Sequence, residues 1–218
     1  MEILKNDSRF MKRLTKFHPC LDLGLFSRSC GGEIDNGDRA AVIQRDGHLL
    51  AVLFDGLGHG PKASQAACLA VHICENHIES VPSELLSAVN EGLRNTVGAA
   101  GAVLRMEMPK GELPFSGGSS LALCYCAVGN ISARMVGDGV TRLIGIDGVL
   151  GAFKRKLRDQ TALVGPGGLI LLNSDGVQTD SLPKDLGASA MDLAKAMVEG
   201  FGRPHDDATA LVIKVASQ

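Results

Sequence analysis

The first half of the chain switches between strand-like and helix-like spacing of its apolar positions. LDLGLFS at 21–27, AAVIQR at 40–45 and HLLAVLF at 48–54 are short apolar or alternating runs, and each reads as a β-strand. Pro61 then stands where a first helical residue can stand, because the N–H it lacks would have no intrahelical acceptor there. Over 62–79, Ala63, Ala66, Ala67, Ala70, Ile73, Cys74 and Ile78 recur at helical spacing. A second helix is expected over 83–97, with Ser83 as its N-cap and Leu85, Leu86, Val89 and Leu93 on its apolar face.

After a Gly- and Pro-containing passage, SSLALCYCAV at 119–128 reads as a buried strand. NISARMVG at 130–137, VTRLIGI at 140–146 and GLILLNS at 168–174 follow as strands, then a helix over 189–200 and a last strand, ATALVIKVA, at 208–216. Strands come in adjacent, hairpin-like groups, which is not the strict alternation of a parallel α/β sheet. The pattern points to an α+β layered fold with antiparallel sheets.

A length of 218 residues favours one domain, and 45% hydrophobic against 21% charged residues implies a sizeable core. A formal charge of −2 gives no basic field for nucleic acid. The N-terminal MEILKNDSRFMKRLTKF has no uninterrupted apolar run, so neither a secretory signal nor a membrane span is expected. None of the six cysteines is spaced as CxxC, and Cys68, Cys74, Cys124 and Cys126 read as small buried hydrophobes of a reduced compartment. A cytoplasmic protein with no nucleic-acid or membrane partner is the expectation.

Five Asp-Gly pairs carry the candidate chemistry: Asp46-Gly47, Asp55-Gly56, Asp138-Gly139, Asp147-Gly148 and Asp175-Gly176. Such a pair is ordinarily a tight turn, and that reading suits Asp46-Gly47, which separates two alternating runs, and Asp147-Gly148. Asp55 and Asp175 instead end buried apolar runs, where a side chain is held rigidly, as a metal ligand must be. Asp38 and Asp206 (with Asp207 beside it) precede strands, and in antiparallel neighbours one strand's start lies beside another's end. These carboxylates can therefore converge on one rim. Converging carboxylates repel unless a cation joins them, and hard oxygen donors without clustered His or Cys suit Mg²⁺ or Mn²⁺.

In order, GD (37–38), DGLGHG (55–60), GGSS (117–120), VGDG (136–139), SDG (174–176) and HDDAT (205–209) resemble the PPM family of metal-dependent serine/threonine protein phosphatases. The resemblance runs from about residue 22 to 216, and its DGLGHG form is similar to the bacterial stress-response branch, the RsbX-type and SpoIIE-like phosphatases. It implies a four-layer αββα sandwich of two antiparallel sheets flanked by helices. It also implies phosphorylated STAS-domain proteins of a stressosome as partners and substrates, in signal transduction. By the same resemblance Asp55 would bridge two Mn²⁺ or Mg²⁺ ions and the Gly56 carbonyl would bind one of them. Asp175 and Asp206 would bind the second ion. Asp38 would act at the first through water, and Asp138 would help hold a third, looser ion. Water activated between the ions would be the nucleophile, and Gly58 and Gly60 would let the loop backbone pass close to the site.

The chain also departs from the family pattern. Leu57 stands where many members carry the His that protonates the leaving group; His59 lies two residues on, and a metal-bound or bulk water is the alternative acid. The family's phosphate-binding Arg has no clear match, with Arg28 and Arg39 as candidates. The run FKRKLR puts Lys154, Arg155, Lys156 and Arg158 within five positions, either as a solvated surface or as a flap steering an acidic phosphoprotein. The loop at 55–60 lacks the Lys-Ser/Thr of a P-loop, which sets a nucleotide cradle aside. A phosphatase of a single-domain anti-anti-sigma factor and a non-catalytic PPM-fold binding module are the rival readings. No sensor, transmembrane or coiled-coil segment precedes the domain in this sequence, so control is expected through substrate availability or expression.

Overall fold

The computed structural model describes residues 2–7, 10–11, 17–31, 34–108, 120–178 and 182–217. Residues 117–119 of the GGSS element lie outside them. Twelve strands and three helices follow one another as β1 (Glu2–Asp7), β2 (Phe10–Met11), β3 (Leu21–Arg28), β4 (Asp38–Arg45), β5 (His48–Gly56), α1 (Pro61–Asn76) and α2 (Pro82–Gly92). Then come β6 (Ala99–Glu107), β7 (Leu121–Val128), β8 (Ser132–Val136), β9 (Val140–Leu143), β10 (Gln160–Val164), β11 (Leu169–Asn173), α3 (Ala190–Phe201) and β12 (Ala208–Val215). A large sheet runs in the order β10-β7-β6-β5-β4-β1-β2 and a smaller one β3-β12-β11-β8-β9, with all ladders antiparallel.

The period of two along each strand divides the apolar residues between two layers. Val42, Leu49, Ala51, Leu53 and Leu104 of the large sheet meet Leu25, Ile170, Leu172, Leu211 and Ile213 of the smaller one in the core between the sheets. The opposite faces carry Ile43, Val52, Phe54 and Val103 under α1 and α2, and Leu171, Val212 and Ala210 under α3. This is the helix–sheet–sheet–helix sandwich of antiparallel sheets that the sequence pattern and the resemblance led us to expect.

Several local expectations are corrected. Ser83 is not the N-cap of α2: Pro82 is the first helical residue, and Asp159 accepts from the Ser83 N–H at 2.8 Å and its hydroxyl at 2.7 Å. A carboxylate from a distant loop thus serves the orphan donors at that helix start. The strands β1, β2, β6 and β10 were not read from the sequence. Cys68 is exposed on α1, and Cys30 and Cys124 are half-buried, so only Cys20, Cys74 and Cys126 behave as buried hydrophobes. Asp46 and Gly47 take φ of 51° and 79° between the paired Arg45 and His48, as a two-residue hairpin turn requires. No helix among the described residues is long and apolar enough to cross a membrane.

Candidate metal centre

Asp38 and Asp55 occupy the last rung of the β4–β5 ladder, directly opposite each other. They lie within the ladder and not beyond it, as read from the sequence. Both share the parity of the inward-facing residues Ala40 and Leu53, so both side chains enter the gap between the sheets. Asp38 is wholly buried. From the smaller sheet, Ser174 faces it and donates its hydroxyl to Asp38 Oδ2 at 2.6 Å. The same Ser174 Oγ accepts from the Thr209 N–H at 3.0 Å, so one hydroxyl ties β12, the end of β11 and the start of β4 together.

Asp175 follows Ser174, and Asp206 precedes β12. Burial pushes the Asp55 carboxyl up to about 9, with the charges of Asp38, Asp175 and Asp206 and a hydrogen bond with Asp175 adding to it. Burial likewise raises Asp38 to about 7, against the opposing hydrogen bonds of Ser174 and Thr209. Asp206 is raised by partial burial and by Asp175. Four of the sequence-derived aspartates thus face one another across the two sheets. Among the described residues no three His, Cys, Asp or Glu side chains already lie close enough to enclose a metal ion. The donor set still fits one: a group of hard carboxylate oxygens gathered in one place is what a divalent cation neutralises.

The backbone at the rim explains the glycines. A Cβ on Gly56 would come within 2.1 Å of the Ala63 carbonyl oxygen, and one on Gly176 within 1.8 Å of that of Asp207. Gly58 takes a positive φ of 84°, and a Cβ there would meet no atom of the chain within 4 Å.

Other sequence-derived candidates lie elsewhere. Asp138 sits at the exposed tip of the β8–β9 hairpin, where Gly137 N–H donates to Gly139 O at 3.0 Å. In the β8–β11 register Val136 opposes Leu169 while Ser132 opposes Asn173, so Asp138 and Asp175 are at opposite ends of the sheet. The assignment of Asp138 to a looser ion is therefore corrected. The residue that does reach Asp175 is Asn130, whose amide donates to its Oδ2. Asn130 follows the end of β7 as Asp175 follows β11, but its reach to Asp175 depends on how the two sheets stack.

Arg39 faces the opposite way from Asp38, toward α1. Its guanidinium donates to the carbonyls of Asn36 at 3.1 Å and Asp38 at 3.0 Å, to Ser64 Oγ at 2.9 Å and to Cys68 Sγ at 3.0 Å. Strand alternation makes it a brace for the loop, not an anion partner. Arg28 also faces outward, on the α3 side with Phe26, and donates to the Arg203 carbonyl. Lys154, Arg155 and Lys156 are exposed, the last two beside Ser83 and Ser87 of α2, with Arg155 over the Phe153 ring. Leu57 and His59 are exposed on the loop before α1.

Asp207 has a different part from its neighbour. Its Oδ1 accepts from the Cys30 N–H at 2.7 Å and its Oδ2 from the Gly37 N–H at 2.8 Å, while the Gly37 carbonyl accepts from Gly56 at 3.1 Å. The second aspartate of the pair therefore secures the loop that delivers Asp38, and the first faces the cluster.

This architecture has known counterparts. The sequence model of the stage II sporulation protein E (SpoIIE) family matches residues 45–216, most of the chain. The chain belongs to the SpoIIE family. No curated protein sequence matches it at a significant level. Among solved structures, the SpoIIE-family chain superposes on one from work on the bacterial stressosome, a modular system adapted to control secondary messenger signaling. That likeness has a TM-score of 0.79 at 27% identity over 88% of this chain and 98% of the other. RsbX in complex with magnesium gives 0.76 at 18% identity over 90% and 96%. The catalytic domain of the serine/threonine protein phosphatase PstP in complex with two manganese ions gives 0.64 at 17% over 90% and 99%. The fold is that of the PPM-type metal-dependent phosphatases, of RsbX and SpoIIE type.

Proposed function

We propose that this SpoIIE-family chain hydrolyses phosphoserine or phosphothreonine on a bacterial regulatory STAS-domain protein, using water activated between two Mn²⁺ or Mg²⁺ ions. The observation that carries the reading is the set Asp38, Asp55, Asp175 and Asp206, drawn from two sheets into mutual repulsion. A fold holds such a set against its own electrostatics where a cation is to be bound. Asp55 and the Gly56 carbonyl, with Asp175 and Asp206, would hold the ions, and Asp38 would orient water at the first. When bound, divalent ions lower the pKa of shared water and neutralise charge on the phosphoryl oxygens.

The chain's own residues supply the geometry. Ser174 and Thr209 fix the Asp38 carboxylate by hydrogen bonds. Asn130 holds Asp175 by its Oδ2, and Asp55 is hydrogen-bonded to the same side chain. Leu57 offers no proton, so protonation of the leaving alkoxide falls to solvent or to His59. The STAS-domain substrate is supported by the likeness to RsbX and to the stressosome chain. The exposed Lys154, Arg155 and Lys156 would steer such a partner by complementary charge.

The test is hydrolysis of an aryl phosphate and of a phosphorylated STAS-domain protein in EDTA, Mn²⁺ or Mg²⁺, by wild type and Asp55→Ala. Activity should require the metal and Asp55. Turnover that survives both chelation and the substitution would show the reading to be wrong. Parallel assays on a stressosome scaffold protein and on a single-domain anti-anti-sigma factor decide between those two substrates.

A further inference from the structure

The loop carrying Asp206 is joined to the turn carrying Asp175 by a short antiparallel ladder outside the named strands. Val177 bridges Gly202, the Gln178 N–H donates to Phe201 O at 3.1 Å, and the Arg203 N–H donates to Gly176 O at 2.7 Å. The Arg203 carbonyl is the other side of that junction. It accepts from Arg28 Nη2 at 2.5 Å and from the Asp206 N–H at 3.4 Å. Room for the guanidinium comes from Gly202, where a Cβ would stand 3.0 Å from Arg28 Nη2. Arg28 itself is the last residue of β3, fixed by pairing with Ala208 at the start of β12.

We propose that Arg28 is a positioning residue for the metal centre: its guanidinium latches the Arg203 peptide and thereby sets the separation of Asp175 and Asp206. This rests on the reading of those two aspartates as ligands of one cation. Neither residue flanks the other in a regular ladder; each lies on a loop beyond a strand end, and the Arg203 peptide is the unit that bonds toward both. An arginine suits the task because a planar, permanently charged donor makes a strong bond to a carbonyl while its stem packs along the α3 layer. The latch is made by the Arg203 backbone; its exposed side chain acts on Asp206 only by its charge.

The experiment is Mn²⁺ binding by calorimetry, with metal-free melting temperature and aryl-phosphate kinetics at saturating Mn²⁺ alongside. Loss of a group that orients metal ligands weakens affinity by about 10–100-fold. Arg28→Ala should show that loss with its metal-free melting temperature and KM near wild type, Arg28→Lys should recover part of it, and Arg203→Ala, which keeps the backbone and removes only a cation, should bind no more weakly than wild type. Arg28→Gln, which keeps one amide donor, replaces the alanine variant if the latter does not fold, and is expected to weaken binding as well. Unchanged Mn²⁺ affinity in Arg28→Ala overturns the latch. A raised KM with unchanged affinity would make Arg28 an anion contact instead. If wild type itself binds no Mn²⁺, the reading of the site falls and the latch with it.

Discussion

The two sheets contribute their aspartates in different ways. On the large sheet Asp38 and Asp55 are opposite rungs of one ladder; Asp55 is paired on both sides, with Asp38 and Ala100, and Asp38 is wholly buried. On the smaller sheet Asp175 and Asp206 stand on loops, half-exposed, and are set by side-chain and peptide contacts from Asn130 and Arg203. The first pair is held by sheet hydrogen bonding and is raised in pKa by burial; the second is held by contacts between loops. On the proposed reading, such a centre would have one jaw set by the sheet ladder and one set by contacts between loops.

The contrast can be tested by breaking the ladder-held jaw first. Asp55→Asn should lower turnover by at least about 10²–10³, the scale of losing a group that organises transition-state charge. The same change should make the metal-free protein more stable at neutral to alkaline pH. Because the folded-state pKa of Asp55 is raised to about 9, its contribution to stability is complete below its unfolded value and is lost as pH rises toward 9. Melting of the metal-free wild type should therefore drop with rising pH and do so less in Asp55→Asn. Since the cation competes with those protons, stabilisation by Mn²⁺ should be greater at about pH 9 than at about pH 6.

Ser174→Ala leaves Asp38 Oδ2 without this donor and the Thr209 N–H without this acceptor, both buried. Denaturant unfolding should show a loss of about 1–3 kcal/mol. On the loop-held side, Asn130→Ala should weaken Mn²⁺ binding by about 10-fold while leaving stability nearly unchanged, a split visible by calorimetry and melting. The smallest effect belongs outside the centre. Neutralising Lys154, Arg155, Lys156 and Arg158 together should slow hydrolysis of the phosphoprotein at low salt and spare the aryl phosphate. Equal losses on both substrates would rule out docking by this segment.

The sequence exposed the large features because they depend on local pattern. The alternating runs of β3 to β5, the helical spacing of α1 and the apolar run of β11 are visible in one dimension. β6 was hidden because Gly98 and Gly101 interrupt its start. Gly101 is there to admit the Phe54 ring, 2.3 Å from where its Cβ would lie, which is a cross-strand fact. The aspartates were legible because each adjoins a strand end. The roles of Ser174, Thr209 and Asn130 were not, since they depend on how two sheets stack. Asp138 was misassigned for the opposite reason. Gly137 and Gly139 around it separate two strand-like runs as Asp46-Gly47 does, and the resemblance to a family motif outweighed that likeness to a turn.

The glycines after Asp55 and Asp175 have a consequence for descent. The volume a side chain would need is already occupied by the carbonyl of Ala63 or Asp207. Replacing either aspartate costs chemistry and relieves repulsion, whereas replacing either glycine forces apart a helix start or a strand start. A lineage released from catalysis is therefore free to shed the aspartates but is bound to retain the glycines. In such a lineage, a glycine left behind without its aspartate would be the fossil of a lost metal centre.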